Sequence, residues 1–100
     1  MKSITIADLV ARENTPLIDV REAHEYAAGH VPGAVNIPMS EIGNRLDELP
    51  AEAFDVICQA GGRSGRVVEA LTARGYDATN VDGGTGEWIA AGHAVEAPSE

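Results

Sequence analysis

The chain has a single cysteine, Cys58, among its 100 residues. One cysteine cannot form an internal disulfide, which excludes the disulfide-stabilised class of small secreted domains. It also excludes a metal site built on paired cysteines, and the three histidines lack the close spacing of metal ligands. We therefore expect no bound metal ion. We also expect a cytoplasmic protein, because a free thiol survives in a reducing compartment.

Basic residues, aromatic residues and long apolar runs are also scarce. Lys and Arg number 7 against 16 Asp and Glu, so the net charge is −9. This acidity argues against nucleic acid as a partner, since such binding depends on clustered Lys and Arg. Aromatic residues are only 4% of the chain, so the core must be mainly aliphatic. No apolar run approaches bilayer-spanning length and the first residues lack a signal-peptide pattern, so we expect no membrane partner.

The remaining composition is that of one ordinary soluble domain. A chain of 100 residues with 44% hydrophobic content can bury a single modest core without disulfides or metals. We predict one domain over residues 1–92 and a loose tail over residues 93–100.

Strand-like and helix-like segments alternate along the chain. A short apolar run predicts a strand at residues 17–20, and further short strands are predicted at 34–37, 55–58 and 78–81. Helical spacing and caps predict helices after Thr5, at 22–28, at 40–49 with Ser40 as N-cap, at 64–74 and at 87–91. This alternation predicts an α/β fold with a parallel sheet covered on both faces. Ligands of such sheets bind beyond the carboxyl ends of the strands, and Cys58 is placed at such an end.

Cys58 has two possible roles at this position. Free cysteines are most often small, buried and inert core residues. Here, however, Gly61 and Gly62 follow, and they permit a tight turn whose N–H groups point inward as an anion-binding nest. The predicted helix behind the loop adds its own unpaired N–H groups and its dipole. Because a thiol in such a setting ionises more readily, the loop favours a nucleophile.

Arg63 and Ser64 complete this loop. Arg63 contributes a positive charge and a planar set of donors suited to an oxyanion, and Ser64 either caps the helix or donates to a bound group. Four residues separate Cys58 from Arg63, one fewer than in cysteine-dependent phosphatases. The tighter loop disfavours phosphatase or arsenate reductase chemistry and favours a smaller group, such as the terminal sulfur of a persulfide.

Four stretches of the chain together resemble the rhodanese family. They are residues 17–26, with Leu-Ile-Asp-Val-Arg-Glu; 29–38, with Gly-His-Val-Pro-Gly-Ala-Val-Asn-Ile-Pro; the loop 58–64; and 83–88, with Gly-Gly-Thr-Gly-Glu-Trp. They occur in the family's order and span about residues 3–92. The resemblance implies a five-stranded parallel sheet flanked by helices, with the active-site loop at the carboxyl end of a central strand. It also implies sulfurtransferase activity without a metal or organic cofactor.

The resemblance also implies roles for individual residues. Cys58 matches the residue that accepts sulfane sulfur and forms a persulfide. The residues that match the substrate-binding loop are Gln59, Ala60, Gly61, Gly62, Arg63 and Ser64. Asp19, Arg21 and His30 match signature positions, and we interpret them as supporting residues that hold the loops around the site. The chain departs from some thiosulfate-preferring members at Gln59, which is neutral where they carry a basic residue, so donor preference stays open.

Three functions remain as alternatives. The first is transfer of sulfur from a small anionic donor such as thiosulfate to cyanide, a thiol or a protein acceptor. The second is a sulfur relay, in which the persulfide passes between protein partners and thiosulfate turnover is incidental. The third is a scaffold that only binds an anion in the loop.

Overall fold

The computed structural model describes residues 1–97 and has one five-stranded parallel sheet at its centre. The strands are β1 (Ser3–Ile4), β2 (Leu17–Asp19), β3 (Val35–Asn36), β4 (Phe54–Ile57) and β5 (Ala78–Val81). The helices are α1 (Ile6–Ala11), α2 (Ala23–Ala28), α3 (Gly62–Ala73) and α4 (Gly84–Ala90). The spatial order β1-β5-β4-β2-β3 places β4 in the middle of the sheet. The predicted α/β fold with five parallel strands is therefore confirmed.

Helices cover both faces of this sheet, which explains why every residue of its inner strands β2, β4 and β5 is buried. Every residue of β4 is buried, and alternate side chains enter two different cores. Phe54 and Val56 pack with the α3 face, which supplies Val67, Val68 and Leu71. Ile57 instead joins the core formed with α1, together with Ile6, Leu9, Leu17 and Val81.

Local signals placed the first helix correctly. The Thr5 hydroxyl accepts the Asp8 N–H at 3.1 Å, and the Asp8 carboxylate accepts the Thr5 N–H at 3.1 Å. This reciprocal arrangement is a capping box, which satisfies two backbone donors that the first turn leaves without partners. Strand β1, just before it, was missed because two residues are too short to form a recognisable pattern.

The predicted helix over residues 40–49 is wrong. The segment instead forms two short 3-10 helices, Ile42–Asn44 and Leu46–Glu48. Ser40 caps neither of them, because its hydroxyl donates to the Glu22 carboxylate at 3.0 Å. Gly43 and Asn44 have low helix propensity, and the tighter turns still bring Ile42, Leu46 and Leu49 onto the core.

The segment after α4 packs back against the rest of the domain. The Trp88 indole N–H donates to the Ala94 carbonyl at 2.8 Å, and the backbones of His30 and Glu96 pair in antiparallel fashion. The last part of the predicted tail, residues 98–100, lies outside the described residues. Within residues 1–97, no helix has both the length and the apolar character needed to cross a membrane.

Candidate active site

Cys58 directly follows the central strand β4, at the carboxyl end of the sheet. Its side chain is buried, with 1% of the residue exposed. Four residues later the chain enters α3, and Ser64 in the first turn of that helix contacts the sulfur. The sheet thus places the thiol where parallel α/β folds bind their ligands.

Two hydrogen bonds hold the sulfur at the start of α3. The Gly61 N–H lies 3.1 Å from Cys58 Sγ, and the Ser64 hydroxyl lies 3.2 Å from it. Gly61 has φ +105°, a conformation open to glycine, and it occupies the N-cap position of α3. The helix begins at Gly62, two residues earlier than predicted. Ser64 is therefore a first-turn residue that contacts the sulfur, and the alternative that it caps the helix is wrong.

These donors favour the ionised form of Cys58. Burial alone raises the pKa of the thiol, because the charged form loses solvation. Hydrogen bonds from the Ser64 hydroxyl and from the N–H groups of Ser64, Gly61 and Ala60 outweigh it, so the pKa of Cys58 lies below its ordinary value. A thiolate is the nucleophilic form of cysteine, so the site is arranged for nucleophilic attack by sulfur.

The start of α4 holds the loop from behind. The Thr85 N–H and hydroxyl donate to the Cys58 carbonyl at 2.9 and 3.1 Å, and the Gly86 N–H donates to the Gln59 carbonyl at 3.0 Å. With these carbonyls turned towards α4, the following N–H groups are free to face the sulfur. The sequence analysis included residues 83–88 in the family resemblance but assigned Thr85 no role at the site.

Arg63 forms an ion pair that the sequence did not predict. Its Nη1 and Nη2 donate to Oε1 and Oε2 of Glu25 at 2.7 and 2.8 Å. This bidentate hydrogen bond lowers the pKa of Glu25 to about 2, so the carboxylate is ionised at every physiological pH. The one signal for Glu25 was its place in the family-like stretch 17–26, which says nothing about a partner 38 residues away.

Arg21 and Asp19 form a buried ion pair, and Arg21 contacts the loop through Gln59. The guanidinium binds the Asp19 carboxylate through Nε and Nη2 at 3.1 and 2.9 Å, and both side chains are buried. Arg21 also donates to the Gly29 carbonyl at 2.9 Å and to the Gln59 side-chain oxygen at 3.2 Å. It therefore links the loop of Cys58 to the end of α2.

His30 is placed differently. Its ring stacks on that of Tyr26, with centroids 3.7 Å apart, and its Nδ1 lies 3.0 Å from the Tyr26 carbonyl oxygen. These contacts belong to the turn after α2 and not to the loop 58–64. Within residues 1–97, no group of three or more His, Cys, Asp or Glu side chains is arranged to hold a metal ion.

Replacing Ser64 by alanine is expected to raise the pKa of Cys58 and to lower its reactivity at neutral pH. A hydrogen bond to a charged group contributes about 1.5–3 kcal/mol, so alkylation by iodoacetamide at pH 7 should slow roughly threefold or more. The pH profile should keep its plateau and move its midpoint upward, because less thiolate forms at a given pH. Alkylation rates measured between about pH 5 and 10 check this.

The matched control is Thr72→Ala, which removes an exposed hydroxyl from the same helix α3. We expect its alkylation profile to overlay that of the wild type. An unchanged midpoint in a folded Ser64→Ala protein would show that the Ser64 hydroxyl does not stabilise the thiolate.

Nearly the whole chain is similar to known proteins in both sequence and structure. A sequence model described as rhodanese-like domain matches residues 5–91. The thiosulfate:glutathione sulfurtransferase of Homo sapiens is 34% identical over 101 residues, covering 84% of this chain and 87% of that protein. The crystal structure of a rhodanese-related protein from Thermoplasma volcanium matches with a TM-score of 0.93 at 34% identity, over 98% of this chain and 100% of that one.

A further relative is much longer than this chain. An HTH-type transcriptional regulator of Mycobacterium tuberculosis is 36% identical over 101 residues, which covers 94% of this chain. The match spans only 44% of the regulator, so it concerns one part of that protein.

Proposed function

This chain belongs to the rhodanese-like domain family, and from that premise we propose that it is a sulfurtransferase acting through a persulfide on Cys58. The donor is a small anion such as thiosulfate, and the acceptor is cyanide, a thiol or a protein thiolate. The observation that carries this proposal is the buried Cys58 thiol, whose sulfur accepts hydrogen bonds from Gly61 and Ser64 and whose pKa is lowered by them.

The reaction is a double displacement in which sulfur changes partners. The Cys58 thiolate attacks the outer sulfur of thiosulfate, a Sγ–S bond forms, and the S–S bond of the donor breaks. Sulfite leaves with the electron pair of that bond, and Cys58 carries the persulfide. An acceptor nucleophile then attacks the terminal sulfur, the Sγ–S bond breaks, and its electron pair returns to the Cys58 thiolate. The balance requires no metal and no organic cofactor.

The Ser64 hydroxyl and backbone N–H donors stabilise the anionic species. The N–H groups of the loop 59–64 and the first turn of the twelve-residue helix α3 provide a preorganised positive potential beside Sγ. Donors fixed before the reaction need no reorganisation when charge develops, which is why such arrangements lower barriers effectively. Arg21 contributes indirectly by orienting Gln59 through its 3.2 Å hydrogen bond.

A sulfur relay is the second candidate, and the lack of excess positive charge at Gln59 and Arg63 favours it. Gln59 is neutral, and the positive charge of Arg63 is balanced by Glu25. A persulfide delivered by a thiol or a protein depends less on a free cation than does a doubly charged inorganic donor. The comparison that separates the two is kcat/KM with thiosulfate against kcat/KM with glutathione persulfide.

Incubation with thiosulfate is expected to add one sulfur atom, about 32 Da, to Cys58. Intact-protein and peptide mass spectrometry detect this adduct, and cyanide should remove it while forming thiocyanate. The control is the same protein with Cys58 alkylated beforehand, which should gain no mass. If neither thiosulfate nor glutathione persulfide yields the adduct, the loop is an anion-binding scaffold and the proposed function is wrong.

A further inference from the structure

Two arginines are associated with the active-site loop: Arg63 belongs to it, and Arg21 contacts it at Gln59. Each forms an ion pair with an acidic residue. Arg21 is paired with Asp19, and the pair is almost fully buried. Arg63 is paired with Glu25 at the protein surface, where 37% of the Arg63 side chain and 25% of the Glu25 side chain are exposed. The positive charge of each of these two arginines is therefore already balanced by a carboxylate before a sulfur donor approaches Cys58.

The Arg63 pair has the geometry of an occupied anion site. Both terminal nitrogens of the guanidinium donate, one to each carboxylate oxygen, at 2.7 and 2.8 Å. The same pair of donors binds the oxygens of other planar or tetrahedral oxyanions, including sulfonate groups. Arg63 lies in the chain between Gly61 and Ser64, both of which donate hydrogen bonds to the Cys58 sulfur. The pKa of Arg63 is raised chiefly by its hydrogen bonds to Glu25 and also by the charge of the Cys58 thiolate.

Glu25 is itself held in this position by α2. It is the third residue of that helix, and its Oε1 accepts the Glu22 N–H at 3.1 Å in a capping box. The carboxylate is therefore anchored to the helix terminus on one side and to Arg63 on the other. Displacing it from Arg63 requires the incoming anion to break a preorganised, charge-assisted pair.

We propose that Glu25 is a specificity-determining residue that competes with the oxyanion end of the sulfur donor for Arg63. Its carboxylate occupies the bidentate donors of Arg63 and repels a second anion nearby. It therefore selects against doubly charged sulfur donors such as thiosulfate, relative to sulfur donors that bring less negative charge close to Arg63. This inference deepens the proposed function of the same loop and rests on it.

The variant Glu25→Gln tests this with little change to the fold. Glutamine also serves at the third position of a capping box, so the Glu22 N–H keeps an acceptor. The matched control is Glu48→Gln. Glu48 is an exposed residue of the 3-10 helix Leu46–Glu48, and it pairs with Arg45 in the same bidentate manner, at 2.6 and 2.7 Å. Both variants remove one negative charge from an Arg–Glu pair, but only one pair includes an arginine of the loop.

Two sulfur donors that react in the same way but differ in charge test this selection. Thiosulfate and methanethiosulfonate both offer a sulfane sulfur on an oxidised sulfur, but the second carries one negative charge fewer. In Glu25→Gln we expect kcat/KM for thiosulfate to rise roughly 3- to 10-fold relative to that for methanethiosulfonate, mainly through KM. The gain should shrink as ionic strength rises, since the interaction is screened. Glu48→Gln should leave the ratio at the wild-type value.

Equilibrium binding distinguishes failure of this inference from failure of the proposed function. In a Cys58→Ser background, where no persulfide forms, thiosulfate titrations followed by amide chemical shifts compare the protein with and without Glu25→Gln. We expect binding to be roughly 3- to 10-fold tighter when the substitution is present. Equal or weaker binding in a folded protein overturns the role of Glu25, even if the wild type transfers sulfur. Tighter binding without persulfide formation in the wild type supports competition at Arg63 and refutes sulfur transfer.

Discussion

Replacing Cys58 by alanine is expected to abolish sulfur transfer. The proposed reaction stores the sulfur covalently on Sγ, and no other cysteine exists in the chain to replace it. Losing the nucleophile of a covalent mechanism typically lowers activity by at least about 1,000-fold. Thiocyanate formation from thiosulfate and cyanide measures this, and mass spectrometry should find no added sulfur. The variant should still fold, because a single buried sulfur is removed from an otherwise intact core.

Cys58→Ser is the companion variant that separates chemistry from packing. Its hydroxyl can keep a hydrogen bond to Gly61 or Ser64, so the loop should stay closer to its native arrangement. We expect it to be as inactive as the alanine variant, because a hydroxyl oxygen does not replace the thiolate as sulfur acceptor. Circular dichroism melts establish that both variants are folded. Transfer at the wild-type rate in either folded variant would contradict a Cys58 persulfide.

Replacing Gly84 by alanine is expected to destabilise the protein and to disrupt the active-site loop. A Cβ at this position would lie 2.5 Å from the Cys58 carbonyl oxygen and 2.6 Å from that of Gln59, and φ is +59°. These are backbone atoms, so α4 or the loop must move, and the hydrogen bonds from Thr85 and Gly86 weaken. We expect a loss of about 2–4 kcal/mol in the free energy of unfolding, from overpacking and the left-handed backbone. Urea denaturation measures it.

Gly75→Ala is the control for backbone conformation without the clash. Gly75 also has positive φ, +94°, but nothing lies within 4 Å of a Cβ built on it. Its cost should stay near about 1 kcal/mol, and iodoacetamide should react with Cys58 as in the wild type. In Gly84→Ala the same reaction should slow at neutral pH, because displaced N–H groups no longer lower the pKa of the thiol. Equal destabilisation by the two substitutions would rule out the tight contact between α4 and the loop.

Most of the sheet was predictable because its signals are local. The strands β2, β4 and β5 are short, mainly apolar and buried throughout, as expected where helices cover both faces, and prolines or glycines lie near their ends. The helix α3 was predicted from its apolar spacing, within two residues of its true start. The prediction for residues 40–49 was wrong because the apolar spacing there fits 3-10 turns as well as an α-helix.

The candidate site was only partly predictable. Cys58 and its loop are contiguous, so the nucleophile, the glycine turn and the following helix could be interpreted together. Ser64 was identified, but its contact with the sulfur depends on where α3 begins. Thr85 was missed because its hydrogen bond to the Cys58 carbonyl joins residues 27 positions apart. No periodicity or motif spacing reports such a contact.

The sequence by itself determined the reactive group: one thiol, at the end of a buried strand, followed by a glycine turn and a helix. Those features follow from residue order, since turn chemistry and helix termini are local properties of the chain. Only the tertiary structure decided the charges around that thiol. The pairing of Arg63 with Glu25, 38 residues away, brings a carboxylate to the positive charge that the sequence analysis assigned to oxyanion binding. Long-range ion pairs depend on how β4, α2 and α3 pack together, and so they appear only in the folded protein.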